Sequence, residues 1–68
     1  MLTMTEYTAQ VGKGDTMLAI YVPEVDRWTQ AETEADVVPM ATDLISLMLD
    51  VPASEVAVRV EHVVHPRD

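Results

Sequence analysis

The sequence predicts a small α+β domain of order β-β-β-α-β, with one helix on one face of a small sheet. Three observations carry this expectation. Two strand-like runs flank a Gly-Lys-Gly-Asp turn at residues 12–15. One set of apolar residues recurs at helical spacing between residues 37 and 49. A valine-rich alternating run follows near the end. The chain has 68 residues, 49% of them apolar, which is one domain with a modest core. A domain of this size buries only about 60% of the surface its unfolded chain exposes. Its own stability is on the order of a few kcal/mol. There is no cysteine, so disulfides, thiolate metal sites and a cysteine nucleophile are excluded. Association with another chain is the remaining route to further burial.

The domain is expected over residues 5–64, between a flexible N-terminus (1–4) and a frayed C-terminus (65–68). In residues 5–11, Tyr7, Ala9 and Val11 alternate with Glu6, Thr8 and Gln10. Period two with polar partners reads as a half-buried strand. The turn at 12–15 is rich in glycine, which tolerates positive φ. Residues 16–22 are almost wholly apolar. Leu18, Ile20 and Val22 fall on one face, and Met17, Ala19 and Tyr21 on the other, so this strand should be interior, with something covering each side. Pro23 ends it, because a central strand needs its amide donors. Residues 27–31 (RWTQA) make a short third strand.

Thr33 looks like a helix N-cap, with Asp36 three positions on as in a capping box. Glu34 and Asp36 lie where the helix dipole favours anions. Val37, Met40, Ala41, Leu44, Leu47 and Met48 form the apolar stripe, widened by Val38, Ile45 and Leu49. Pro39 conflicts with a helix starting at Thr33. Either the first turn is irregular, or the helix proper starts near Val38 with Pro39 at an early position. It should run on to Leu49 or Asp50. After a connection at 51–54, Val56, Val58 and Val60 alternate with Ala57, Arg59 and Glu61 as the last strand.

One helix can cover only one face of this sheet. A right-handed crossover brings strand four alongside strand one. The uncovered face then carries Met17, Ala19 and Tyr21, or Leu18, Ile20 and Val22. An exposed apolar face of that kind marks an interface. Met17, Ala19 and Tyr21 are therefore the candidate contacts of a homodimer or higher homo-oligomer.

Twelve acidic residues face four basic ones, giving a net charge of −8 and a pI near 4.3. Such a surface repels phosphate backbones and anionic membranes, so neither nucleic acid nor membrane is an expected partner. It steers a basic protein toward itself; the same excess of charge also serves solubility. No apolar run approaches the ~20 residues of a bilayer span. The first residues lack a basic n-region and an apolar h-region, so a cytoplasmic location is expected.

Little in the sequence suggests catalysis. His62 and His65 stand three apart, which places them on opposite faces of a strand and denies them a shared metal. Glu24, Asp26, Glu32, Glu34, Asp36, Asp43 and Asp50 show no spacing that forces convergence, and no nucleophile comes with a base. Gly12-Lys13-Gly14 is too short for a phosphate loop. No enzyme, metal or cofactor is expected. Trp28, the only tryptophan, is either core or an interface anchor. As partner-binding residues we single out Trp28 as anchor, with Glu32, Glu34 and Asp36 as a charged rim.

Tyr7-Thr8-Ala9-Gln10-Val11, the Gly-rich turn and the run Leu18 to Val25 (LAIYVPEV) resemble the opening hairpin of HicB-type antitoxins. Thr29-Gln30-Ala31, the acidic helix start at Thr33-Glu34 and the valine-rich last strand fit the same pattern. The resemblance covers residues 5–64. Asp26-Arg27 stands where the family has glycine, and Met17 where an aromatic is common. The resemblance implies a partial ribonuclease-H-like fold without nuclease activity. It also implies a partner: a small basic RNA-cleaving toxin (HicA-like) that this domain would bind and block. Operator binding, which the family owes to a C-terminal DNA-binding module, is not expected here. The alternative is a stand-alone HicB-like homo-oligomer, orphan or phage-borne, that regulates or builds without a toxin.

Overall fold

The computed structural model describes residues 5–63. The expected termini, residues 1–4 and 64–68, and with them His65, lie outside the described residues. The element order is β1 (Thr5–Lys13), β2 (Leu18–Val22), β3 (Arg27–Ala31), α1 (Val37–Leu49) and β4 (Val56–His62). Short 3-10 turns at Glu34–Asp36 and Ala53–Glu55 precede α1 and β4. The sheet order is β3-β2-β1-β4. β2 is antiparallel to both of its neighbours, whereas β1 and β4 run parallel, from Thr5 opposite Val56 to Val11 opposite His62. This is the α+β arrangement that the sequence predicts, with β2 interior and β4 beside β1.

The alternation in β1 places Tyr7, Ala9 and Val11 in the core. Opposite them on the same face come Ile20 and Val22 of β2, Ala31 of β3 and Val56 of β4. α1 contributes Val37, Ala41 and Ile45, spaced one turn apart. Leu18, Leu44, Val58 and Val60 pack against this cluster. The expected apolar stripe of α1 is only partly buried: Met40 and Met48 are exposed, and Leu47 is 80% exposed. The strip of helix that a four-stranded sheet can touch is narrower than the apolar arc of this sequence. No helix among the described residues is long and apolar enough to cross a membrane.

Two local expectations are corrected. β1 runs on through Gly12 and Lys13, so the turn moves to residues 14–17, where the Gly14 amide donates to the Met17 carbonyl at 3.0 Å. Neither glycine has positive φ. Gly14 is required instead by close approach, since a Cβ there would stand 2.5 Å from the Met17 carbonyl oxygen. Met17 therefore belongs to the turn and not to a strand face shared with Ala19 and Tyr21.

The helix is also not capped at Thr33. That residue begins the 3-10 turn, and its hydroxyl donates to the Asp36 carboxylate at 3.1 Å and accepts no backbone amide. The α-helix starts after Asp36. Pro39 is then its third residue, a position whose amide has no intrahelical acceptor. An earlier start would drive the proline ring into the carbonyl of Ala35. At the far end Asp50 takes the left-handed conformation (φ 57°), and its amide donates to the Ser46 carbonyl. The Val51 amide does the same at 3.2 Å.

Candidate interaction surface on the open face

The register fixes what the uncovered face carries. Trp28, Tyr21, Gln10 and Glu61 form one row across all four strands. Gln30, Ala19 and Gly12 form the next. On the other side of the first row, Thr8 lies opposite Arg59. The face is therefore an aromatic pair set among polar groups, not the continuous apolar surface expected from Met17, Ala19 and Tyr21. Ala19 and Tyr21 are half-buried there.

Trp28 is 66% exposed and is not core. Its ring centroid lies 4.9 Å from that of Tyr21, at an interplanar angle of 42°, the tilted geometry that aromatic quadrupoles favour. The tight connection 23–26 holds this pair. The Val25 and Asp26 amides donate to the carbonyls of Val22 and Pro23, at 3.2 Å each. Asp26 adopts φ 53°, which aspartate tolerates better than most residues. The Tyr21 hydroxyl donates to Asp26 Oδ1 at 2.6 Å. That hydrogen bond, some desolvation and the carboxylate's charge raise the Tyr21 pKa above the ordinary tyrosine value.

Polar groups complete the surface. Where β2 gives way to Pro23, the Thr8 amide donates to Glu24 Oε1 at 3.0 Å. A carboxylate there replaces the missing strand partner. Arg59 Nη2 lies 3.1 Å from Glu61 Oε2 and donates to Thr8 Oγ1 at 3.4 Å. Beside this row is a shallow pocket of about 250 Å³, lined by Gln10, Gly12, Lys13, Ala19, Tyr21, Trp28 and Val63. A second depression of about 450 Å³ runs past the edge of β3, between Trp28 and Met40, with Met17, Thr29 and Gln30. Trp28 is the wall between the two.

The expected acidic rim is dispersed. Glu32, Glu34 and Asp36 are all exposed. Glu32 borders the β1–β2 turn with Lys13, Asp15 and Met17. Glu34 is drawn across the end of the sheet, where its two carboxylate oxygens lie 3.0 and 3.1 Å from His62 Nε2 on β4. β4 is the opposite edge from β3, about 14 Å away at the usual strand spacing. Asp36 accepts from Thr33. Trp28 and the three carboxylates thus do not form one patch. Sequence reasoning missed Gln10, Gly12 and Val63, because only the strand register brings them beside Trp28. It also missed the Glu34–His62 pair, 28 positions apart in the chain.

Among the described residues no group of three or more His, Asp and Glu side chains converges as a metal site. No protein-family model, curated protein or solved structure matches the chain.

Proposed function

We propose that this chain is a protein-binding module of HicB-like antitoxin type, which sequesters a small basic RNA-cleaving toxin in the cytoplasm. The observation that carries the reading is the exposed Trp28 beside a pocket on a sheet face that no helix among the described residues covers. The molecule around it bears eleven carboxylates and three cationic side chains within residues 5–63. A negative field speeds encounter with a basic partner, and an aromatic anchor lengthens the complex's lifetime. The mechanism is occlusion: the acidic surface competes with RNA phosphates for the partner's Lys and Arg side chains. No catalytic step is assigned to the chain.

The test is co-expression with the protein encoded by the adjacent gene, with binding measured at low and high salt and toxicity scored in cells. The expected result is a salt-weakened complex and rescue of growth. A small basic neighbour that neither binds nor is neutralised defeats the reading.

A second reading, a homo-oligomer without a toxin, is favoured by one observation. Among the described residues the outer edges of β3 and β4 are unpaired, Met40 lies beside the β3 edge, and Leu47 and Met48 of α1 are also exposed. Sedimentation showing a tight oligomer, together with no rescue of any neighbour, selects it.

A further inference from the structure

We propose that the pocket beside Trp28 receives an arginine side chain presented by a basic protein partner. This rests on the binding-module reading and specifies the chemistry that the partner brings. The pocket floor is the cross-strand pair Gly12 and Ala19. A Cβ on Gly12 would meet nothing within 4 Å, so the space above the floor is open. The floor and Val63 offer an apolar bed for an alkyl stem. The exposed indole of Trp28, braced by Tyr21, offers a flat face for a planar cation.

Charge selects the occupant. Aromatic rings on a bare sheet would also stack a nucleotide base. A nucleotide brings phosphate, however, and the described residues hold eleven carboxylates against Lys13, Arg27 and Arg59. Arg59 is already paired with Glu61. A cation instead meets a molecule whose described residues carry net negative charge, with Asp26 held at the Tyr21 hydroxyl beside the aromatic pair. Lys13 lines the opposite end of the pocket, beyond Gly12. Its charge sets the direction of entry, with the stem over Gly12 and Ala19 and the guanidinium at the Trp28 end. Arginine suits this better than lysine, because its planar, weakly hydrated head stacks on an indole and keeps in-plane donors for the Gln10 side chain that lines the pocket.

The experiment titrates the ¹⁵N-labelled full chain at low salt with three capped pentapeptides, Ala-X-Ala-X-Ala, where X is arginine, lysine or neutral citrulline. The expected result is saturable shifts at Gly12, Ala19, Tyr21 and the Trp28 indole. Arginine should bind at least about twofold tighter than lysine, and citrulline should not bind. Trp28→Ala should weaken the arginine peptide about two- to fivefold, the contribution of an exposed cation–π contact. Trp28→Phe keeps a ring and should retain most of the binding. Ala19→Leu fills the floor and should abolish it, with the amide spectrum reporting that the fold is kept. Shifts confined to α1, or equal binding of citrulline, overturn the proposal. So do shifts of the same residues with protein concentration alone, which would assign the face to a second copy. If these peptides fail while the basic neighbour still binds, the arginine pocket is wrong and the binding-module reading stands. If the neighbour fails as well, both fall.

Discussion

Replacing Ile45 by alanine should remove most of the stability of this domain, while the same change at Leu47 should do almost nothing. Ile45 sits in the middle of α1, is fully buried, and shares the core with Ile20 and Val22. Leu47, two residues on, is 80% exposed. Truncating a buried isoleucine to alanine costs about 2–5 kcal/mol, combining lost transfer energy with the cavity left behind. Here the cavity is flanked by the sheet on one side and the helix backbone on the other. Neither can collapse far, so the upper half of that range is expected. A domain of this size has a total stability on the order of 3–5 kcal/mol, so Ile45→Ala should be largely unfolded in water. Ile45→Val should cost about 0.5–1.5 kcal/mol and stay folded, which keeps the test quantitative. Leu47→Ala should fall within about 0.5 kcal/mol of the parent. The assay is urea denaturation followed by far-UV circular dichroism at two protein concentrations. Leu47→Ala costing as much as Ile45→Val, with a midpoint that rises with concentration, would refute the one-sided packing of α1. It would place Leu47 in an interface.

Other outcomes follow from particular contacts. Gly14→Ala should destabilise by about 1–3 kcal/mol, because the new Cβ meets the Met17 carbonyl. Gly12→Ala, with open space around it, should be neutral or slightly stabilising; parallel denaturation curves separate the two. Pro39→Ala should change stability by less than about 1 kcal/mol, since the third position of a helix has no amide bond to regain. The raised Tyr21 pKa means that the folded state holds its proton more tightly than the unfolded one. That stabilisation is complete below the ordinary tyrosine value of about 10 and is lost as pH rises through the raised value. Asp26→Gly removes the acceptor and its charge and suits the left-handed backbone. It should bring the Tyr21 phenolate transition, read by ultraviolet absorbance, down toward the ordinary value. An unchanged transition would remove Asp26 as the cause.

The fold was legible because its signals are local. Alternation in Tyr7-Ala9-Val11, the apolar run into Pro23, the RWTQA strand and the valines of β4 each identify an element without reference to the others. The turn boundary moved through a contact at close range, the Gly14 amide reaching the Met17 carbonyl. At the helix start, the irregular first turn and the late α-helical start that Pro39 predicts are both present, as a 3-10 turn at Glu34–Asp36 and an α-helix from Val37. The candidate surface was legible only in part. The uncovered face was expected from the count of one helix against one sheet, and Trp28 could be singled out by composition alone. Its neighbours could not. Gln10 and Gly12 come beside it through strand register, and a shift of one residue would exchange every side chain between faces. Proximity in sequence predicts an acidic rim of Glu32, Glu34 and Asp36 near Trp28. The crossover instead carries Glu34 to His62, on the strand farthest from Trp28.

The central claim is that the sheet face bearing Tyr21 and Trp28 is where this chain meets a basic protein. Amide hydrogen exchange of the chain, alone and in the presence of the protein encoded by the adjacent gene, tests this directly. The account predicts slowed exchange in β2 and β3, around Ala19, Tyr21 and Trp28, with α1 unchanged. Protection of residues 43–50 on the helix, with exchange on the open face unaltered, would contradict it.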